Sequence, residues 1–278
     1  MNISNHQFPI TNSKSSIPNS GWGVVSKFPV FMGIVNVTPD SFSDGGKYFT
    51  SSVAIRHALE LIEAGAGIID VGGESTRPGS DLIPVEEELR RVINVIAGIR
   101  QANDKIPISI DTNKTAVAKE AINAGANIIN DIFSAEDNGM IQLLRETGTA
   151  ICIMHCQGKP KTMQNNPVYV DVISEVWDYL NCRRNELIEA GIDVGCIAVD
   201  VGLGFGKTAE HNWQLVENIE RFLTIGAPLL VGHSRKRFLT TKFNDREEGT
   251  KIVTKQLIKK GVNIIRIHKI HNEYLTYL

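Results

Sequence analysis

Ile106-Pro-Ile-Ser-Ile-Asp-Thr-Asn-Lys-Thr-Ala-Val-Ala-Lys-Glu-Ala-Ile-Asn-Ala-Gly-Ala-Asn-Ile-Ile-Asn130 is the stretch that decides the fold. Its first run, Ile106–Ile110, is apolar and rich in β-branched residues. A helical pattern over Thr115–Ala124 follows and stops at Gly125, a helix C-terminal signal. Ile128–Asn130 is then a second apolar run. The same unit recurs on both sides. Further apolar runs stand at Phe31–Val35, Ile68–Val71, Ala150–Met154, Ile197–Val199, Pro228–Val231 and Ile264–Ile267, which makes eight. Unbroken apolar runs fit strands covered on both faces, as in a parallel sheet. Between them, helical periodicity covers Val53–Ala64, Pro84 through Ile96, Gly139–Arg145, Tyr169–Ala190, Glu210–Phe222 and Glu247–Lys260. Pro84 opens its helix, and Glu86–Glu88 complement the helix dipole. Only a short last helix fits within Asn272–Leu278. Eight strand–helix units predict an α/β fold, the (β/α)8 TIM barrel. A doubly wound open sheet is the alternative. It usually has fewer strands and a Gly-rich nucleotide turn after the first, and neither is seen.

The length of 278 residues suits two ordinary domains or one barrel. No linker or composition shift divides the chain after residue 30. The expected organisation is a polar N-terminal extension over 1–29 and a barrel over 30–278. A hydrophobic share of 42% and a net charge of -2 exclude a disordered chain. The near-balanced charge argues against nucleic acid as a partner, because phosphates need a basic excess. No apolar stretch approaches the roughly 18 residues of a membrane helix. The first thirty residues are polar and carry no secretory h-region. Cys152, Cys156, Cys182 and Cys196 form no CxxC pair. They read as reduced thiols of a cytoplasmic protein, with Cys152 and Cys196 buried as small hydrophobes.

In such a barrel, function sits at the C-terminal ends of the strands. Polar residues gather there at all eight: Asn36 and Asp40–Gly46, Glu74–Gly79, Asp111, Asn130-Asp131, His155, Asp200 with Gly202–Lys207, His233–Lys236, and Arg266 with His268. Asp111 alone reads equally as a helix cap or a ligand contact, and Asp131 reads as a cap. Caps do not explain Arg and Lys, so a clustered site is the better reading. Asp111, Asn130 and Asp200 suit a flat nitrogen heterocycle with several N–H donors. Arg266, His268, Lys236 and Arg235 bring positive charge to strands 7 and 8, where barrels often hold phosphate. A solvated face is the reading for Arg237. Asn36 suits either an oxygen ligand for Mg2+ or a loop-stabilising amide. Gly202–Lys207 lacks the spacing of the dinucleotide fingerprint and of the P-loop. It reads as a tight turn bringing Phe205 and Asp200 to the ligand.

Taken together, the chain resembles the dihydropteroate synthases, the folate-pathway enzymes targeted by sulfonamides. The resemblance runs from Phe31 to His268. Met32–Gly46 and Asp70–Gly79 carry it most specifically. Ile110–Thr112, Asn130–Ile132, Gly204–Lys207, Ser234–Lys236 and Arg266–His268 add to it in order. The resemblance implies joining of p-aminobenzoate to 6-hydroxymethyl-7,8-dihydropterin pyrophosphate with loss of pyrophosphate; the charged leaving group and neutral arylamine of that reaction predict an SN1-like path. It implies that Asp111, Asn130, Asp200 and Lys236 hold the pterin. Asn36, Arg266 and His268 would hold the pyrophosphate, with Mg2+ on Asn36. Phe205, Lys207 and Ser234 would line the p-aminobenzoate pocket. Mobile loops carrying Asp40, Phe42, Ser43, Thr76, Arg77 and Pro78 would close over the site. It implies a homodimer whose partners are these small molecules, with no nucleic acid or membrane. The chain departs from the family pattern at Val201, where Pro is usual, at Lys269, where Asp is usual, and at Cys156, where Met is common. Two competing readings are a pterin-binding methyltransferase barrel, which has no pyrophosphate to hold, and a silent barrel that binds without turnover.

Overall fold

The computed structural model describes residues 21–25, 28–38, 47–75, 80–158 and 161–276. Among these, eight parallel strands close into a barrel. In chain order the elements are β1 (Val30–Asn36), α1 (Lys47–Glu63), β2 (Ile68–Gly72), α2 (Val85–Ala102), β3 (Ile108–Asp111), α3 (Thr115–Asn123), β4 (Ile128–Asp131) and α4 (Met140–Thr147). There follow β5 (Ala150–Met154), α5 (Val172–Glu189), β6 (Ile197–Asp200), α6 (Ala209–Glu217), β7 (Leu229–Val231), α7 (Arg246–Lys259), β8 (Ile264–Ile267) and α8 (Asn272–Leu275). Each strand pairs with the next, and Val30 beside Ile264 closes the ring.

Side chains alternate between the two faces of each strand. Outward residues such as Phe31, Val35, Ile69, Val71, Ile108 and Ile110 pack beneath the helices in the main core. On α2 the covering stripe is Val92, Val95, Ile96 and Ile99, all fully buried. Inward residues Val30, Met32, Ile68, Ile128, Leu230 and Ile264 form a second cluster that fills the barrel floor. Both faces are therefore buried, which is why the strands read as unbroken apolar runs.

Strand positions agree with the sequence reading to within two residues. The helix starts differ more. Helix α1 begins at Lys47, six residues early, and α5 begins at Val172. Asp171 sets the latter boundary, because its side chain accepts from the amides of Ile173 and Ser174. Pro84 is the N-cap of α2, with extended backbone, and not its first helical residue. The pattern over Glu210–Phe222 divides into α6 and a 3-10 helix, Ile219–Ile225.

The last part of the extension expected over 1–29 packs against the barrel floor. Gly21–Val24 form a 3-10 helix, and Trp22 plugs the barrel floor at 4% exposure. Its indole Nε1 donates to the Ile151 carbonyl at 3.1 Å. Val25 and Phe28 pack against the same cluster. An indole combines a large apolar body with one donor, and here that donor meets a strand carbonyl at the floor. Cys152 and Cys196 are buried, and all four thiols are free. Among the described residues no helix is long and apolar enough to cross a membrane.

Candidate active site

The inward alternation that fills the floor with apolar groups brings polar ones to the layers above. Strand parity sends Asp70, Asn130 and Arg266 into the barrel, with Asp111, Asp200, Asn36 and His268 nearer the mouth. Arg266 organises this interior. Its Nε donates to Asp70 Oδ2 at 2.6 Å, and its Nη2 donates to Asp111 Oδ2 at 2.6 Å. Asn130 Nδ2 also donates to Asp70 Oδ2, at 3.3 Å. Burial opposes the charge on Arg266, but Asp70 and Asp111 outweigh it and hold the guanidinium above its ordinary pKa. Burial raises Asp111 above the usual carboxylate range, with Arg266 opposing. The arrangement fixes a forked cation between two carboxylates, a geometry lysine does not reproduce.

On the opposite wall, burial raises Asp200, and the charge of Lys236 opposes that shift. Asp200 Oδ1 accepts from the Gly202 amide at 2.8 Å. Burial lowers Lys236 to about 8, with Asp200 opposing. The Lys236 ammonium stands 4.4 Å from the centre of the Phe205 ring, a cation–π contact. It also donates to the Leu203 carbonyl.

Ser234 and His268 meet at the ends of β7 and β8. The Ser234 hydroxyl lies 2.9 Å from His268 Nδ1 and accepts from the His268 amide at 3.3 Å. The expected division, His268 for pyrophosphate and Ser234 for the arylamine, thus falls on two side chains in contact. Asn36, His268, Arg235 and Lys269 border a cavity of about 580 Å³ beside this pair. Arg235 is braced by Glu247 at 3.2 Å. Arg237 is exposed.

Lys207, expected at the arylamine pocket, is buried against the turn that carries it. The residue is 2% exposed, and its ammonium lies against His155 Nδ1 (2.9 Å) and three carbonyls, those of Gly202 (3.0 Å), Phe205 (3.0 Å) and His155 (3.2 Å). A flexible side chain beside a Gly-rich turn satisfies its donors on that turn before it reaches solvent. Asp131 acts as a local cap, although not of a helix. Its carboxylate accepts from the amides of Phe133 and Ala135 at 2.8 Å each. Asp111 is not a cap, since Lys114 is the N-cap of α3.

Three groups escaped the sequence reading. Asp70 sits within an apolar run, and its parity with Asn130 and Asp111 is the signal that marks it. Lys114 binds Glu74 at 2.8 Å and Glu88 at 2.5 Å, a buried triad at the base of the β2–α2 connection. Glu74 also accepts from the Ile83 amide at 2.7 Å. No local spacing reveals that triad, because its members come from three segments. His155 was placed at a strand end without a partner. Asp40, Phe42, Ser43, Thr76, Arg77 and Pro78 lie outside the described residues.

A carboxamide oxygen on Asn36 is the donor type that Mg2+ takes when phosphate oxygens and water supply the remaining positions. Among the described residues no group of three His, Cys, Asp or Glu side chains is placed to hold a metal by itself.

Residues 32–268 match the model of a family described as pterin binding enzymes. The dihydropteroate synthase of Escherichia coli (strain K12) is 45% identical over 246 residues, covering 87% of each chain. The Xanthomonas albilineans dihydropteroate synthase with 4-aminobenzoic acid superposes with a TM-score of 0.82 at 39% identity, covering 88% of this chain and 89% of that one. The same organism's enzyme in complex with 7,8-dihydropteroate gives 0.79 at 36% identity, covering 90% and 92%. With a family model spanning most of the chain and relatives this similar over nearly their whole length, the chain belongs to the pterin-binding enzymes and, within them, to the dihydropteroate synthases.

Proposed function

We propose that the chain joins p-aminobenzoate to the methylene carbon of 6-hydroxymethyl-7,8-dihydropterin pyrophosphate, giving 7,8-dihydropteroate and pyrophosphate. The observation that carries the reading is the burial of Asp111, Asn130 and Asp200 at the C-terminal ends of β3, β4 and β6, with Arg266 of β8 bonded to Asp111. A pterin offers an edge of N–H donors to carboxylates and an amide, and paired charge-assisted bonds there are strong. Lys236 then packs beside the ring, and Phe205 beneath the Lys236 ammonium bounds the arylamine end. His268, and Arg266 by the N–H groups it does not spend on Asp70 and Asp111, face the diphosphate.

The C–O bond to pyrophosphate breaks and the arylamine nitrogen forms the new C–N bond. The nitrogen then gives up one proton to the departing phosphate or water. A neutral arylamine needs no base to ionise it first, which accords with the absence of a Ser-His-Asp set from this reading. Bond breaking runs ahead of bond making in an SN1-like path. Asp111 and Asp200 lie where cationic charge grows on the pterin, and Arg266 and His268 lie where anionic charge grows on the leaving group. Asn36 would hold Mg2+, which would supply further neutralisation of the diphosphate charge. A homodimer of the 30.6 kDa chain is part of the same proposal, and sedimentation tests it.

The direct test is pyrophosphate release from the purified chain. Release that requires both substrates supports the synthase. Binding of the pterin without turnover overturns it in favour of a silent barrel. For the path, the substrate carries 18O in its bridging position. Without arylamine, reversible ionisation moves the label to non-bridging oxygens, whereas direct displacement leaves it in place.

A further inference from the structure

Among the buried, titratable groups that the mechanism above leaves unused is Lys207. Its surroundings are all acceptors. Three carbonyls and the His155 imidazole lie within 3.2 Å of one ammonium. Burial pushes His155 down to about 3. The ring is therefore neutral, and Nδ1 accepts. An ammonium has three donors and no acceptor, so this cage fits the cation and leaves none of its N–H groups wasted. Burying such a charge is costly: burial pulls Lys207 down to about 7, and the acceptors of the cage favour the protonated form.

The acceptors belong to one structure, the turn Gly202–Gly206, and to the strand end it rests on. Gly202 has φ +66°, and any Cβ there would overlap the His155 carbonyl oxygen. The turn therefore lies directly on the backbone at the end of β5. From outside, the Tyr169 hydroxyl donates to the Gly206 carbonyl at 2.8 Å. Asn212 of α6 accepts from the Gly204 amide at 2.6 Å. The product of this bracing is the placement of Phe205 and of the Leu203 carbonyl, the two groups that meet Lys236. Lys236 has its own anchors as well: its amide donates to the His233 carbonyl at 3.2 Å, and Asp200 attracts its charge. Phe205 has no comparable anchor beyond the turn itself, whose Phe205 amide donates to the Gly202 carbonyl at 3.1 Å.

We propose that Lys207 is a positioning residue for the arylamine: by drawing together the carbonyls of His155, Gly202 and Phe205, it sets the Phe205 ring against Lys236 and thereby sets arylamine affinity. This rests on the reading of Phe205 as a wall of the arylamine pocket.

The test is steady-state kinetics of Lys207→Met, which keeps the side-chain length and removes the donors. The KM for p-aminobenzoate should rise about tenfold or more, the scale of a lost charge-assisted contact. The KM for the pterin pyrophosphate should stay within about twofold. A fall in kcat with both KM values unchanged would mean only a smaller active fraction and would overturn the proposal. An equal rise in both KM values overturns it too. If Lys207→Met does not fold, Tyr169→Phe decides, since it removes one hydroxyl bond to the same turn. Its arylamine KM should rise about threefold, and no change overturns the proposal. A wild-type chain that makes no dihydropteroate overturns the functional reading and this inference together. An active wild type with unaltered arylamine KM in the variants sinks only the role of Lys207.

Discussion

Replacing Arg266 with Met is the most informative single perturbation of the barrel interior. The change keeps much of the side-chain bulk and removes a cation that two buried carboxylates share at 2.6 Å each. Hydrogen bonds to charged groups contribute about 1.5–3 kcal/mol apiece. Two of them give about 3–6 kcal/mol, consistent with the roughly 3–5 kcal/mol for breaking a buried pair. Against a typical domain stability of about 5–15 kcal/mol, that is a large share. The loss should depend on pH with a definite sign. Burial already raises the folded-state pKa of Asp111, and Arg266 is the charge that opposes the rise. Without Arg266 the folded form binds a proton more readily than the unfolded form over a wider range. The variant therefore recovers stability as pH falls, by up to about 1.4 kcal/mol per pH unit for one proton. Urea unfolding at pH 8 and pH 5.5 measures this. The expected deficit is about 3–5 kcal/mol at pH 8 and clearly smaller at pH 5.5. A deficit under about 1 kcal/mol, or one equal at both pH values, would refute the argument that Arg266 neutralises this interior.

Three further outcomes are expected. Asp200→Asn should weaken binding of the pterin pyrophosphate about 10- to 100-fold by calorimetry, and near-normal binding would contradict a pterin contact. Trp22→Ala should cost about 3–5 kcal/mol in urea unfolding while leaving both KM values unchanged, because the plug sits at the barrel end opposite the site. Gly202→Ala combines a positive φ with overlap on the His155 carbonyl. It should lower stability by about 1–3 kcal/mol in thermal unfolding, and a neutral result would mean the turn is not held as described.

The barrel was legible because burial on both strand faces leaves an unbroken apolar signature and because glycines punctuate the helix ends. The strand-end residues Asp111, Asn130 and Asp200 were legible by position. Asp70 was not, because a run read as uniformly apolar hides its alternation, and the one inward carboxylate looks like an interruption. Lys207 was visible as a residue type but not in direction. Its defining partner, His155, lies 52 positions away, and no local pattern encodes that contact. Trp22 was lost in a polar segment, since a single aromatic has no periodicity to betray its burial. Val201, where Pro is usual in relatives, packs fully buried in the outer core, a position that asks only for apolar volume.

The floor plug also bears on how the protein comes into being. During synthesis Trp22 precedes its hydrogen-bond acceptor, Ile151, by 129 positions. At about 5–20 residues per second, that is a wait of roughly 6–26 seconds. Through that interval a large aromatic of the nascent chain has no native partner at that carbonyl. The ring is no more complete, because β1 pairs with β8 only once Ile264 has been made. The floor plug is thus among the last contacts to be satisfied. A chaperone that captures apolar segments as they emerge would find this one open until those later strands are made.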